Sequence, residues 1–166
     1  MAKLIQGKKQ KQLHWKIVHR AIYTETRLLR MGKCNGICKL CNMHDEDMCH
    51  LFFECPKIAE IWTDIETLLT DIILENVTLE FQDVIFGVYF EELKEKNHLI
   101  NLIILEVKWQ IWKNRNSVKY GNKTSLTKEH LLNKIKLSCR NEAKLFLKGE
   151  ETNVIKQKVK YLFDSL

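Results

Sequence analysis

Turn-making residues are scarce in this sequence. Its 166 residues include 6 glycines and 1 proline. That is too few to punctuate a many-stranded sandwich or barrel, so long helices are expected. Long apolar runs are also lacking. The longest, Leu99–Leu105, is interrupted by Asn101 and falls far short of the ~20 residues that cross a bilayer. The opening MAKLIQGKKQKQ is basic but has no apolar stretch, so no secretory signal is read there. A soluble intracellular protein of nucleus or cytoplasm, with no membrane partner, is expected, and the N-x-T sequons at Asn76 and Asn122 are chance matches. The phosphate-loop, dinucleotide, metalloprotease and serine-hydrolase signatures are all missing. No enzyme and no small-molecule substrate is expected. The acid pairs Asp45/Asp47 and Glu91/Glu92 read as helix-start charges. A catalytic thiol at Cys49 or Cys55 needs more assumptions than metal ligation of the same region.

What is present is a chain able to form a core, 45% hydrophobic and 29% charged. Its net charge of +6 is unevenly spread, with +8 over residues 1–33, −10 over 34–100 and +8 over 101–166. Two basic flanks around an acidic middle suggest an anionic partner, nucleic acid first and an acidic membrane second. The competing reading is solvated helix faces that serve solubility alone.

The chain divides into a basic tail (1–9), a Cys-rich region (10–75), a connector (76–90) and a helical C-terminal region (91–166). Residues 10–23 read as an amphipathic helix with Trp15, Ile17, Val18, Ala21 and Ile22 on one side and Lys9, Lys16 and Arg20 on the other. Thr24 or Thr26 can cap a second short helix that Gly32 stops. Asp45 can cap a helix through Glu46–Glu54. Pro56 suits the first position of the next helix, which presents Ile58, Ile61, Trp62, Ile65, Leu68, Leu69 and Ile72 and ends near Leu74. Residues 76–90 are rich in β-branched and aromatic types, but a lone hairpin is marginal, so they read as a packed connector with a helical turn from Asp83. A long helix over 91–119, apolar nearly all round, runs through the core and ends at Gly121. Thr127 caps a helix to about Lys148, and an amphipathic segment covers 151–164.

The strongest chemical signal is Cys38-x2-Cys41-x8-His50-x4-Cys55. In a reducing compartment such cysteines are metal ligands or plain core rather than disulfides. Three thiolates and one imidazole fill a tetrahedron and leave no place for water, so the metal is a structural zinc. His50 and Cys55, five apart, do not share an α-helical face. However, Cys55 precedes Pro56, which pushes it out of the α region and can swing its thiolate back. Cys34 can stand in for Cys38, and His44 competes with His50. Cys49 faces away from His50, and Cys139 sits in a helical pattern as core.

The run WKIVHRAIYTETRLLRMG…GICKLC…EDMCHLFFECPKIAEIW resembles the zinc-binding region near the C-terminus of LINE-type, non-LTR retrotransposon reverse transcriptases. The shared features are Trp15, Thr24 or Thr26, Cys38 and Cys41, Glu46 and Asp47, His50-Leu51-Phe52, Cys55 and Ile61-Trp62, over about residues 13–65. The helical pattern around the Cys-rich loop gives a mainly α fold, a helical bundle with a small Cys3His zinc-knuckle-like loop inserted between helices. The resemblance implies a nucleic-acid-binding accessory region that helps handle element RNA or target DNA, and binding of RNA or single-stranded DNA with little sequence preference is expected. A Tyr-x-Asp-Asp polymerase motif is missing, so the chain is expected to be a C-terminal piece of such a protein. The alternative readings are a protein-interaction module docking through the acidic middle, and an inert remnant.

Nucleic-acid contacts are expected from Lys9, Lys16 and Arg20, and from Lys108, Trp112, Arg115 and Lys119, which are spaced 4-3-4 on the long helix. A tryptophan among cations can stack a base while the cations hold phosphates. The other reading makes Trp109 and Trp112 core with cations at the rim.

Overall fold

A computed structural model describes residues 8–91 and 94–146. The described residues are mainly helical and contain no strand. In chain order come α1 (Lys8–Val18), α2 (Glu25–Arg30), a π-helical turn (His50–Glu54), α3 (Pro56–Ile73), α4 (Phe81–Phe86), α5 (Lys94–Gly121) and α6 (Lys128–Phe146). The residues of the basic tail before Lys8, and the segment expected at 151–164, lie outside the described residues.

Most helix boundaries follow from identifiable stop and start chemistry. Thr24 caps α2 through its hydroxyl, which accepts from the Arg27 N–H. Gly32, with φ +68, closes α2 while its N–H donates to Leu29 O. Pro56 opens α3, where a missing N–H costs nothing. Thr127 caps α6 by accepting from His130 N. The exception is α1, which stops at Val18 instead of running to residue 23. Arg20 takes φ +51, its N–H donates to Ile17 O, and Ala21 N–H donates to Lys16 O. This is a Schellman stop with arginine where glycine is usual. It gives no compositional signal.

The α1 termination also changes its faces. Leu13 and Ile17 are buried, whereas Trp15 is 57% exposed. Trp15 is two positions from each of them, roughly 200° away on a helical wheel, so the expectation that it is buried is corrected.

On α3, Ile58, Ile61, Trp62, Ile65, Leu68 and Leu69 are all buried, as their spacing predicts; the Ile72 side chain lies outside those described. The connector carries one short helix, α4, whose capping box pairs Glu80 with Asp83.

The core is organised around α5, which packs against α1, α3, α4, α6 and the π-turn. Its apolar middle (Leu99, Ile100, Ile103, Ile104, Val107, Ile111) is buried as expected, but so are Asn97, Glu106, Lys108, Gln110, Asn114 and Arg115. Buried polar groups need partners, and most of these anchor a different segment. Asn97 holds Phe90 N and O, both at 2.8 Å. Asn101, partly buried, holds Val88 N and O at 2.8 and 2.9 Å. Two asparagine amides thus satisfy an extended segment that has no neighbouring strand. Glu106 accepts from Gln10 of α1, and Asn114 accepts from Leu126 N at 3.0 Å in the α5–α6 loop. Cys139 on α6 is buried as core, as expected.

Candidate metal centre

The Cys-rich loop is shaped by backbone before any ligand is considered. Ile37 and Asp45 form an antiparallel bridge. Cys38 N–H donates to His44 O at 2.8 Å, and Glu46 N–H donates to Gly36 O at 2.9 Å. Gly36 is required at the entrance. Its φ is +83, and a Cβ there would lie 2.9 Å from Leu29 Cδ2. Asn42, with φ +57, turns the chain back after Cys41. Leu40 N–H faces Cys38 Sγ at 3.4 Å.

The second ligand pair is positioned by the π-turn. The Asp45 cap expected for an α-helix is corrected, because Asp45 is held in the bridge to Ile37 and Asp47 does the capping, accepting from His50 N at 2.8 Å. From His50 the backbone widens, and Cys55 N–H donates to His50 O at 2.8 Å. An i→i+5 turn brings together two residues that an α-helix would splay apart. The five-residue spacing that looked unfavourable is therefore the spacing the turn needs. Trp62 Nε1–H donates to Phe52 O at 2.7 Å, tying the turn to α3. Cys55 itself leaves the α region (ψ 127) before Pro56, as the proline dictates.

The result is a closed group. One ligand atom from each of Cys38, Cys41, His50 and Cys55 lies within 4.8 Å of all the others, and Cys41 Sγ is 3.4 Å from His50 Nε2. Bond lengths of about 2.3 Å to sulfur and 2.0–2.1 Å to nitrogen require ligand separations of about 3.6–3.8 Å in a tetrahedron. The Cys3His cluster fits a tetrahedral zinc ion with four protein ligands.

The hydrogen bond between the Cys38 and Cys55 thiols pushes Cys38 up and Cys55 down, and burial adds to the rise at Cys38. Burial, then the neighbouring His44, lowers the His50 pKa and favours the neutral ring that ligates. The candidates left open by spacing now separate. Cys34 Sγ donates to Glu25 O at 3.1 Å. Cys49 is pushed up to about 12 by burial and by its hydrogen bond to Glu54. The His44 ring lies 5.5 Å from the His50 ring, centroid to centroid, and His44 is not among the four clustered ligands.

This loop is clamped from behind by a buried ion cluster that spacing did not reveal. Arg115 Nη2 lies 2.6 Å from Glu46 Oε1 and 2.7 Å from Glu25 Oε1, all three side chains without exposed surface. Lys119 also donates to Glu25. The Glu25 backbone N–H donates to Glu46 Oε1 at 3.0 Å, and Thr26 Oγ1 donates to Glu46 O at 3.0 Å. Burial raises the Glu25 pKa, but Lys119, Cys34 and Arg115 outweigh it and hold the carboxyl below its ordinary value.

The cations expected to contact nucleic acid fall into two groups. Lys9, Lys16 and Arg20 are exposed. Lys108 and Arg115 are 1% and 0% exposed, and a side chain without accessible surface does not reach a phosphate. Their assignment to an interface is corrected on that ground. Lys108 is held by His14 Nδ1 at 3.1 Å and Ile85 O at 3.3 Å. Lys119 is committed to Glu25. Trp112 is half-buried against the core with Arg115 over its ring at 5.2 Å.

Comparison with known families gives the segment its context. Residues 3–62 match the family described as zinc-binding in reverse transcriptase. This part of the chain is similar to the zinc-binding domain of reverse transcriptases, and its Cys3His cluster fits that likeness. All four clustered ligands, Glu25 and Glu46 fall inside the matched residues, while Arg115, which clamps them, lies outside. The match is to a zinc-binding domain and not to a catalytic one. Neither a curated protein nor a solved structure gives a significant match. Among the described residues, no helix is long and apolar enough to cross a membrane.

Proposed function

We propose that this chain is a non-catalytic zinc module, of the kind that follows the polymerase in LINE-type elements, which binds RNA or single-stranded DNA with little sequence choice. The exposed face of α1 is the observation that carries this reading. Lys8, Lys9, Lys11 and Lys16 are all exposed there. Among them Trp15, 57% exposed, pairs with the His19 ring at 4.5 Å between centroids. An aromatic this large is normally buried. Left outside among cations, it is a platform for a base, with phosphates held alongside. Phosphate contacts of this kind give affinity without sequence information.

The test is fluorescence anisotropy of labelled single-stranded RNA and DNA against the zinc-loaded chain over a salt series. The expected log–log slope is about −0.7 per phosphate contact. The variant Trp15→Ala should weaken binding, and Lys9→Gln with Lys16→Gln should flatten the slope. Undetectable or salt-independent binding overturns the reading.

A further inference from the structure

Beside the metal centre, the turn after α1, α2, residues 47–49 and the start of α4 line an open groove of about 520 Å³. Arg20, Arg27 and Arg30 line it, and Met48 and Phe81 contribute apolar surface. We propose that this groove is the site at which one nucleotide of a single strand is held, its phosphate on the arginines and its base against Phe81. The inference rests on the nucleic-acid reading given above and assigns it a second, distinct locus from the α1 platform.

The charge balance favours an anion. Asp47 is the single carboxylate in the lining, and its Oδ1 is already committed to the His50 N–H. Among the described residues, none of the three arginines forms an ion pair, in contrast to Arg115, which has two carboxylates. Arg27 is preorganised. Its Nη1 donates to Arg20 O at 2.8 Å and to Ile22 O at 3.4 Å, and its guanidinium lies 4.8 Å from the Tyr23 ring centre. Those carbonyls engage one nitrogen of a group with five N–H donors. A guanidinium fixed this way loses little entropy on gripping a phosphate. Phe81 is part-buried, contributes to the groove lining and packs beside Phe53, with ring centres 6.3 Å apart and planes tilted by 51°. An aromatic floor with cationic walls suits an unstacked base, which duplexes do not present. An acidic peptide would use the arginines but gain little from the aromatic floor.

The experiment compares wild type, Arg20→Gln/Arg30→Gln, Phe81→Leu, Lys9→Gln/Lys16→Gln and the distant surface control Lys134→Gln. A labelled oligouridylate and a labelled polyglutamate peptide serve as probes. Arg27 is left intact because it holds the α1–α2 turn. Thermal unfolding and zinc content confirm that each variant is folded. The arginine pair is expected to weaken oligouridylate binding about tenfold and to reduce the salt slope by about 1.4, the equivalent of two contacts. Phe81→Leu should weaken binding about fivefold with the slope unchanged, because stacking releases no counterions. If wild type binds but only the α1 variant loses affinity, the groove assignment fails and the nucleic-acid reading stands. If wild type does not bind oligouridylate at all, both fail. Binding of polyglutamate in preference to RNA also overturns the assignment and makes the groove a protein-docking site.

Discussion

Arg115 Nη2 lies between Glu46 Oε1 at 2.6 Å and Glu25 Oε1 at 2.7 Å, joining the zinc loop and α2 to the long helix. Removing the arginine leaves buried Glu46 without its counter-charge and Glu25 with Lys119 as its remaining close cation. Arg115→Met is expected to cost about 3–5 kcal/mol in urea unfolding. Arg115→Lys should recover only part of that, because an ammonium cannot bridge both carboxylates as a fork does. A loss below about 1 kcal/mol would show that the cluster contributes little.

The apolar face of α3 was legible from periodicity because Pro56 fixes its start and Ile58, Ile61, Trp62 and Ile65 keep one phase. The ligands Cys38, Cys41, His50 and Cys55 were legible because their spacing is local. Lys108 and Arg115 were misread for one reason. A charge on a helix reads as solvated until its partner is known, and here His14 and Glu46 lie 94 and 69 positions away. The early end of α1 was illegible because Arg20 takes the left-handed place where glycine would have announced it. Trp15 followed from that, since continuing the helix to residue 23 put it on the wrong face.

Burial lowers the Lys108 pKa from 10.5 to about 7. The folded value lies below the unfolded one, so between them the unfolded chain binds the extra proton and stability rises with pH. Below about pH 7 both states are protonated and the folded state bears the full cost of the buried charge. Above about 10.5 that cost is gone. Lys108→Met is therefore expected to raise Tm at about pH 6 and to lose most of the gain by about pH 10. Tm differences that do not change with pH across this window would refute the assignment.

Gly87 has φ +92, and a Cβ on it would lie 2.5 Å from Asn101 Oδ1. Gly87→Ala thus displaces the amide that clamps Val88. Asn101→Ala removes the same clamp and should cost about 1–3 kcal/mol, the loss of two part-buried hydrogen bonds to the extended segment at Val88. The two substitutions should be strongly sub-additive in a double-mutant cycle, because each destroys what the other depends on. Additive losses in urea unfolding would mean that Gly87 is constrained by its backbone angle alone.

Zinc content separates the ligands from their neighbours. The purified chain is expected to carry one zinc, retained in Cys34→Ser, Cys49→Ser and His44→Ala and lost in Cys55→Ser and His50→Ala. A structural zinc contributes on the order of 10 kcal/mol to small modules. The consequence should travel further than the loop. Glu46 is positioned by its N–H on Gly36 O and by the bridge at Asp45, so melting the loop withdraws one of the two carboxylates from Arg115. Hydrogen exchange after chelation should therefore accelerate around Arg115 on α5 as well as over residues 36–55, while α6 stays protected. Acceleration confined to the loop would show that α5 holds its place without the clamp, and that Arg115 follows the zinc site instead of joining it to the core.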